Sequence, residues 1–528
     1  MNAARALALA CVLALLGAGR ADAHTSSDFA GHHRQVFRVV VVRGLVVADL
    51  PLLASQGAVG LVVPNAGPRT SANDAFVGMV RGILYNARLP HPHGEIVLIH
   101  VRSATSIPQK GPVIVIGLPP NRSVANDRRY PIAVIGHGFR PGSVLQSSLT
   151  RVPGLVSMAD VARTALEAGH SLRSRADPNP ARTLDRLESR IRVARDSTMA
   201  AAVLVLALLT MFALFFPRGA VPALASALTA NLALGWMLDG AVEPRVALVG
   251  VCTVAGGILG ARFLRSGPAL GAALVGVLGA YALTMAVHPS ALSLAPIGPE
   301  LTSRFFGVSN QLETLLLVPA LLGARLLAAR YGKVAFAAVA VLSLLTIAEN
   351  QLGSDGGGAI VVGVGFAVLA VTMAGAGWRL VVPALGAAAL AVLVLLDVDA
   401  ASSSPDHLRG ALHGGFNGLA QVAANRVPLA YDRGLEQWWL LFPTVPALLV
   451  AAAVVYFTRP RRAACVMLSL LAALAASLLV NDSPGPVMIA GCAAVAALEG
   501  GLVYRLLTLP VLRRLGPVGA AVWPRPQE

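Results

Sequence analysis

Charge is scarce in this chain: 13% of its 528 residues are Asp, Glu, Lys or Arg, 56% are hydrophobic, and the mean hydropathy is +0.69. So apolar a composition excludes a soluble globular protein and requires one that crosses a membrane several times. Lysine is nearly absent and acids are outnumbered, 26 Asp and Glu against 42 Lys and Arg, for a formal charge of +16. In a soluble chain that excess would point to nucleic acid. Here no nucleic-acid partner is expected, because the arginines take their meaning from their place relative to the membrane. Cysteine is equally sparse: Cys11 lies in the leader, and Cys252, Cys465 and Cys492 in apolar segments, with neither a disulfide framework nor metal-ligand spacing among them. The chain has no Walker loop, Rossmann fingerprint, haem or zinc signature, which argues against a nucleotide-driven pump.

What is present divides into an address and two halves. MNAARALALACVLALLGAGRADAHTS has a basic start at Arg5, an apolar run and a small-residue site, and reads as a signal peptide over residues 1–23. A retained anchor is the alternative and gives the same topology. Residues 24–175 read as a water-soluble α/β domain with strands expected at 36–42, 60–63, 95–101, 112–117 and 130–136. Strands so continuously apolar predict a parallel sheet covered on both faces. Residues 176–197 are a charged juxtamembrane stalk, helical in its second part, with arginines at the level of lipid headgroups.

Residues 198–505 contain eleven hydrophobic stretches, near 198–216, 220–239, 246–264, 268–287, 311–329, 334–349, 358–376, 380–397, 438–457, 463–480 and 485–504, and 506–528 form a tail. An exported first domain makes the first span run inward. Inner loops then carry Arg218, Arg262, Arg265, Arg330 and Lys333, as the positive-inside rule requires. The reading is an all-α polytopic domain of about 11 transmembrane helices behind the α/β domain. It sits in a cytoplasmic membrane, with the N-terminal domain outside and the C-terminus in the cytoplasm.

The same topology gathers the polar connections on the outer side: SLAPIGPELTSRFFGVSNQLE (293–313), ENQLGSDGGG (349–358), residues 397–437 and NDSPGP (481–486). Arg304, Asn310, Glu313, Glu349, Asp355, Asn481 and Asp482 fall at similar depth and form the candidate outer-face site. Carboxylates there must face one another, a cation or water, because lipid would leave them unsolvated. Simpler readings stand beside it: Asn310 and Gln311 as helix caps, the glycines at 356–358 as close packing, and a structural Arg–carboxylate network. His407 and His413, with Asp406, read as a solvated loop; 408–426 is amphipathic and could form a re-entrant lid. Trp438 and Trp439 mark the outer interface. No resident cofactor is expected, although the carboxylates could hold a divalent cation.

The run GSVLQSSLTRVPGLVSMADVARTALEAG (142–169) resembles the closing section of alkaline-phosphatase-superfamily domains, in particular the phosphoglycerate-mutase and sulfatase-like branch. Asp160, Val161, Ala162, Thr164 and Leu166 carry the likeness, with Arg163 where that family has proline. With AGPRTSANDAFVGMVRG, SRFFGVSNQLE, GSDGGG and NDSPGP, the chain resembles bacterial envelope proteins that fuse such a domain to a multispanning half. The family's chemistry needs a metal pair, held where a first strand ends Asp-Gly and a later one Asp-His. Here those strands end Arg43-Gly44 and Leu118-Pro119, and an arginine at a ligand position repels a cation. His32, His33, His91, His93, His100, His137, Asp49 and Asp74 do not occupy the matching positions.

The resemblance therefore implies a truncated, catalytically dead domain used for sensing or docking. Its arginines (Arg69, Arg81, Arg122, Arg128, Arg129, Arg140, Arg151) could bind phosphate or anionic polymer. The functional expectation is an envelope protein that binds, moves or helps process a lipid-linked or anionic component at the outer face, with membrane lipids and envelope-biogenesis proteins as partners. The alternatives are a transporter or flippase with broken spans, and a phosphoryl or glycosyl transferase using the outer carboxylates.

Overall fold

A computed structural model describes residues 36–82, 85, 101–104, 111–136, 138–166, 171–237, 241–299, 301, 305–349, 352–353, 356–375, 431–458, 464–481 and 483–498. An α/β sheet domain comes first and a helical part follows. The leader, the tail, residues 95–100, 380–397 and 408–426, and His407 with Asp406 lie outside the described residues.

In the sheet, β1 (Arg38–Val42) lies between β4 (Val101–Ala104) and β5 (Val113–Ile116) and is parallel to both. β7 (Tyr130–Ile135) runs antiparallel between β5 and β2 (Ala58–Val63). β8 (Ser143–Ser147) and β9 (Leu155–Ser157) pair parallel with β2, and β10 (Leu172–Ala176) closes the edge antiparallel to β8. β3 (Arg69–Thr70) and β6 (Val124–Ala125) form a small separate ladder.

The sheet is thus mixed, where a parallel one was expected. No helix separates β5 from β7, so the chain turns back instead of crossing over, and continuous apolarity reports burial on two faces rather than strand direction. β10 lies beyond the last strand expected from the sequence, at the end of the 24–175 domain. Leu172 is buried while Arg173 and Arg175 are exposed, the pattern of an edge strand guarded by charge.

Each face of the sheet has its own cover. Val39, Val62, Ile114 and Ile132 pack under α2 (Ala72–Arg81) and α3 (Met158–Leu166). Val40, Leu61, Val115 and Ala133 meet α1 (Leu50–Ala54), Leu184, Leu187 and Ile191 at the start of α4 (Pro180–Phe215), and Leu294, Leu301 and Phe305 from far along the chain. The sheet is therefore seated on the helical part through one whole face. The stalk is not a free tether: α4 is one helix of 36 residues, about 54 Å long at 1.5 Å per residue, and its first turns belong to the sheet's core.

Beyond α4 come α5 (Pro217–Trp236), α6 (Val242–Phe263), α7 (Gly267–Val287), the short α8 (Pro289–Ser293), α9 (Asn310–Tyr331), α10 (Lys333–Ala348), α11 (Gly356–Met373), α12 (Trp438–Thr458), α13 (Cys465–Val480) and α14 (Pro484–Leu498). Five of the described helices, α4 to α7 and α9, are long and apolar enough to cross a membrane. The shorter apolar helices α10 to α14 occupy other places where spans were expected. One apolar core runs through them all, with small residues where helices approach closely: a Cβ on Gly260 of α6 would strike Pro222 of α5. Leu294, Leu301 and Phe305 pack on the sheet, Val308 bonds Gly353 and Asn481 bonds Glu313, which brings these residues to the sheet-side end. Arg218, Arg262, Arg265, Arg330 and Lys333 are exposed at the other.

Candidate functional site at the sheet-side end of the helices

Serine 309 starts α9: its Oγ accepts from the Leu312 N–H at 3.2 Å, and its carbonyl from the Glu313 N–H at 2.8 Å. The cap is thus Ser309, not Asn310 or Gln311, because Ser309 has the extended backbone (φ −75°, ψ 157°) that a cap requires. Glu313 falls one residue beyond the position where a glutamate would fold back on such a cap. It turns inward instead and is fully buried.

One partner comes from far along the chain, 168 residues away. Asn481, the C-cap of α13, is also buried and donates from Nδ2 to Glu313 Oε2 at 3.4 Å and to Ser477 Oγ at 2.7 Å. The chain around Ser309 is fixed by a backbone clasp. Gly307 is left-handed (φ +83°), Val308 N–H donates to Gly353 O at 2.9 Å, and a Cβ on Gly307 would strike that same carbonyl. A Cβ on Gly353 would strike the carbonyls of Ile347 and Thr346. Gly307-Val308 and Leu352-Gly353 are thereby pressed backbone to backbone.

Of the expected site residues, Glu313 and Asn481 are brought into contact. Asn310 sits half-buried in the first turn of the same helix, and Glu349, also half-buried, is the C-cap of α10 beside the clasp. Arg304, Asp355 and Asp482 lie outside the described residues. Among the described residues no group of three or more His, Cys, Asp or Glu side chains could hold a metal. Trp438 and Trp439 are exposed at the start of α12, and Arg433 Nη1 donates to Ser483 Oγ at 3.2 Å.

In the sheet domain, β1 runs out at Arg43 and a left-handed Gly44 (φ +76°), and β5 leads into Leu118-Pro119. Asp49 accepts from the Val46 N–H, and Asp74 is bonded to Ser71 at the cap of α2, so both acids have local structural work. His32, His33, His91, His93, His100, His137 and His413 lie outside the described residues. Asp160 is wholly buried: its Oδ2 accepts from Ser147 Oγ and from the Ser157 N–H, each at 2.8 Å. Ser157 Oγ in turn accepts from the Ala159 N–H at 3.3 Å, so Ser157 and Asp160 together cap the start of α3. Burial outweighs those two bonds and the nearby Arg163 and raises the Asp160 pKa to about 7.

Three of the arginines proposed for anion binding are committed elsewhere. Arg129 makes a two-pronged pair with Glu188 of α4, Nε to Oε2 at 2.7 Å and Nη2 to Oε1 at 2.9 Å, and both residues are buried. Arg69 bonds Ser123, and Arg151 lies over the ring of Phe306. Sequence reading missed the Arg129 pair, yet it left a signal: Glu188 is in phase with Leu184, Leu187 and Ile191, the buried stripe of α4. No family model, curated protein or solved structure matches the chain.

Proposed function

We propose that the chain is a multi-pass protein of the bacterial cytoplasmic membrane that binds the polar head of a lipid-linked envelope component at the sheet-side end of its helices. In this reading the helical part spans the membrane eleven times, the sheet domain lies outside, and Glu313 with Asn481 forms the floor of the site. The observation that carries it is the burial of Glu313 inside the apolar core, one turn into α9, against an amide from a helix 168 residues away. A carboxylate at that depth is costly and is retained for what it binds. A carboxylate beside an amide suits a head that donates, such as sugar hydroxyls or an amine.

The sheet domain is read as a non-catalytic docking module related to the alkaline-phosphatase superfamily. Supporting this are Arg43-Gly44 and Leu118-Pro119 where metal ligands would stand, and a whole face of the sheet given over to contact with the helices. The test is extraction of wild type and Glu313→Gln directly into polymer-bounded bilayer discs, with the retained lipids identified by mass spectrometry. A head-bearing lipid enriched in the wild type and lost from the folded variant supports the site. Identical lipid profiles sink it and return Glu313 to a structural role.

A further inference from the structure

A second polar cluster lies on the outer flank of the same end, away from Glu313. Arg190 of α4 reaches across to the C-terminal end of α5, its Nη2 donating to Gly235 O at 3.5 Å and Met237 O at 3.4 Å. Trp236, between those carbonyls, is half-exposed and stacks edge-on with His288 at 4.9 Å between ring centroids. His288, which follows the last turn of α7, shares a 3.0 Å hydrogen bond with Ser290. Burial, then the charges of Arg190 and of Arg175 on β10, lowers the His288 pKa from its ordinary value. Arg190 of α4 and the Trp236–His288 pair, at the ends of α5 and α7, thus meet at one place, and Arg175 of β10 is near enough to act on His288 through its charge.

The surface around that place changes character within a few residues. Leu283 and Val287, which lead up to His288 on α7, are 65% and 68% exposed, as suits side chains against lipid tails. On α4 the exposed Arg192, Arg195 and Asp196 give way to exposed Met199 and Val203. An exposed tryptophan at such a boundary marks the headgroup level of a bilayer. The cationic groups stand where lipid phosphates would be, directly above an apolar flank.

We propose that Arg175, Arg190 and His288 seat the phosphate of an anionic phospholipid, with Trp236 against its headgroup and its acyl chains along Leu283 and Val287. The seat fixes the edge of the sheet domain, through β10, to the membrane surface beside α5 and α7. It rests on the membrane reading of the helices but not on the Glu313 site.

The test uses full-length protein in detergent, titrated separately with phosphatidylglycerol and phosphatidylcholine of equal chain length and read by native mass spectrometry. Wild type is expected to bind one phosphatidylglycerol in preference to phosphatidylcholine. Arg175→Gln should weaken that binding about fivefold, the contribution of one cation at a membrane surface, and His288→Gln, which removes a neutral hydrogen-bonding ring, should weaken it by less. Both side chains are exposed, so the variants should fold, and an unchanged melting temperature checks that they do. Arg192→Gln, the same loss of charge on an exposed position of α4, should leave the preference intact.

No preference between the lipids, or an equal loss in Arg192→Gln, overturns the seat and leaves only diffuse surface charge. Displacement of the lipid by millimolar inorganic phosphate also overturns it, in favour of a soluble phosphate site. A phosphatidylglycerol preference that survives in Glu313→Gln separates this seat from the site on α9.

Discussion

Arg151 holds its guanidinium 3.8 Å above the ring centroid of Phe306, and it does so from a left-handed backbone, φ +54°. It is the one described non-glycine residue with positive φ, and it joins the β8–β9 turn of the sheet domain to the segment that leads into α9. The left-handed conformation costs an L-residue roughly 1–2 kcal/mol, while a cation over an aromatic face returns about 0.5–2 kcal/mol. The two terms nearly offset, so the arginine serves the position of the domain more than its stability.

The strain and the contact can be separated by substitution. Arg151→Ala loses the contact and keeps the strain, whereas Arg151→Gly loses both. The glycine variant should therefore unfold at the higher temperature of the two, by an amount equivalent to about 1 kcal/mol, despite its more flexible unfolded chain. Thermal unfolding in detergent measures this; an alanine variant as stable as the glycine variant would show that the turn is unstrained.

Arg129 and Glu188 offer a sharper contrast, because both side chains are out of water, at 3% and 9% exposure. Removing either charge strands the other between the sheet and α4. Glu188→Gln should cost about 3–5 kcal/mol, and Arg129→Met/Glu188→Leu should recover most of that loss. Limited proteolysis of the sheet domain, compared across the two variants and wild type, reads the order. Equal sensitivity of the single and double variants would mean the pair is solvated in practice.

Much of this was legible in the sequence, and the failures have physical causes. Apolar runs marked β1, β2, β5 and β7 because burial on both faces leaves an unbroken pattern, but that pattern is the same for either strand direction. β10 was hidden by its arginines, since an edge strand needs only Leu172 inside. Gly307 and Gly353 were visible as turn formers, but not that Gly307 excludes a Cβ for the sake of the Gly353 carbonyl, and Gly353 for those of Ile347 and Thr346. The contact of Glu313 with Asn481 could be guessed only as equal depth, because 168 residues separate them and no local rule spans that distance.

The Asp160 carboxyl links stability of the sheet domain to pH. Its pKa rises from 3.8 to about 7 on folding, so the folded state holds a proton that the unfolded state releases. The corresponding stabilisation is fully present below pH 3.8 and is lost as pH rises through about 7, with a ceiling of roughly 4 kcal/mol at 1.4 kcal/mol per unit. Asp160→Asn, neutral at every pH, should flatten this dependence. Hydrogen exchange of β8 and β9 at pH 5.5 and 8 measures it: protection should fall at the higher pH in wild type and stay level in the variant. A fall of the same size in both would assign the effect to another group.

Gly353 tests whether ENQLGSDGGG is an ordinary polar turn or one wall of a site. A polar turn tolerates alanine unless φ is positive, and Gly353 is not among the positive-φ glycines. A wall does not tolerate it, because the methyl would strike the Ile347 and Thr346 carbonyls and part Gly353 O from the Val308 N–H. That bond positions Ser309, and Ser309 sets the phase that turns Glu313 inward. Gly279→Ala is the matched control: it makes the same chemical change inside α7, where a Cβ meets nothing within 4 Å.

Gly279→Ala should leave the melting temperature and the retained lipids as in wild type. Gly353→Ala should lose about 1–3 kcal/mol of stability, the usual penalty for overpacking, and lose retained lipid in the same proportion as Glu313→Gln. Equal behaviour of the two alanine variants would reduce the clasp to a coincidence of two loops. Loss of stability with lipid retention unchanged would keep the clasp but detach it from the site.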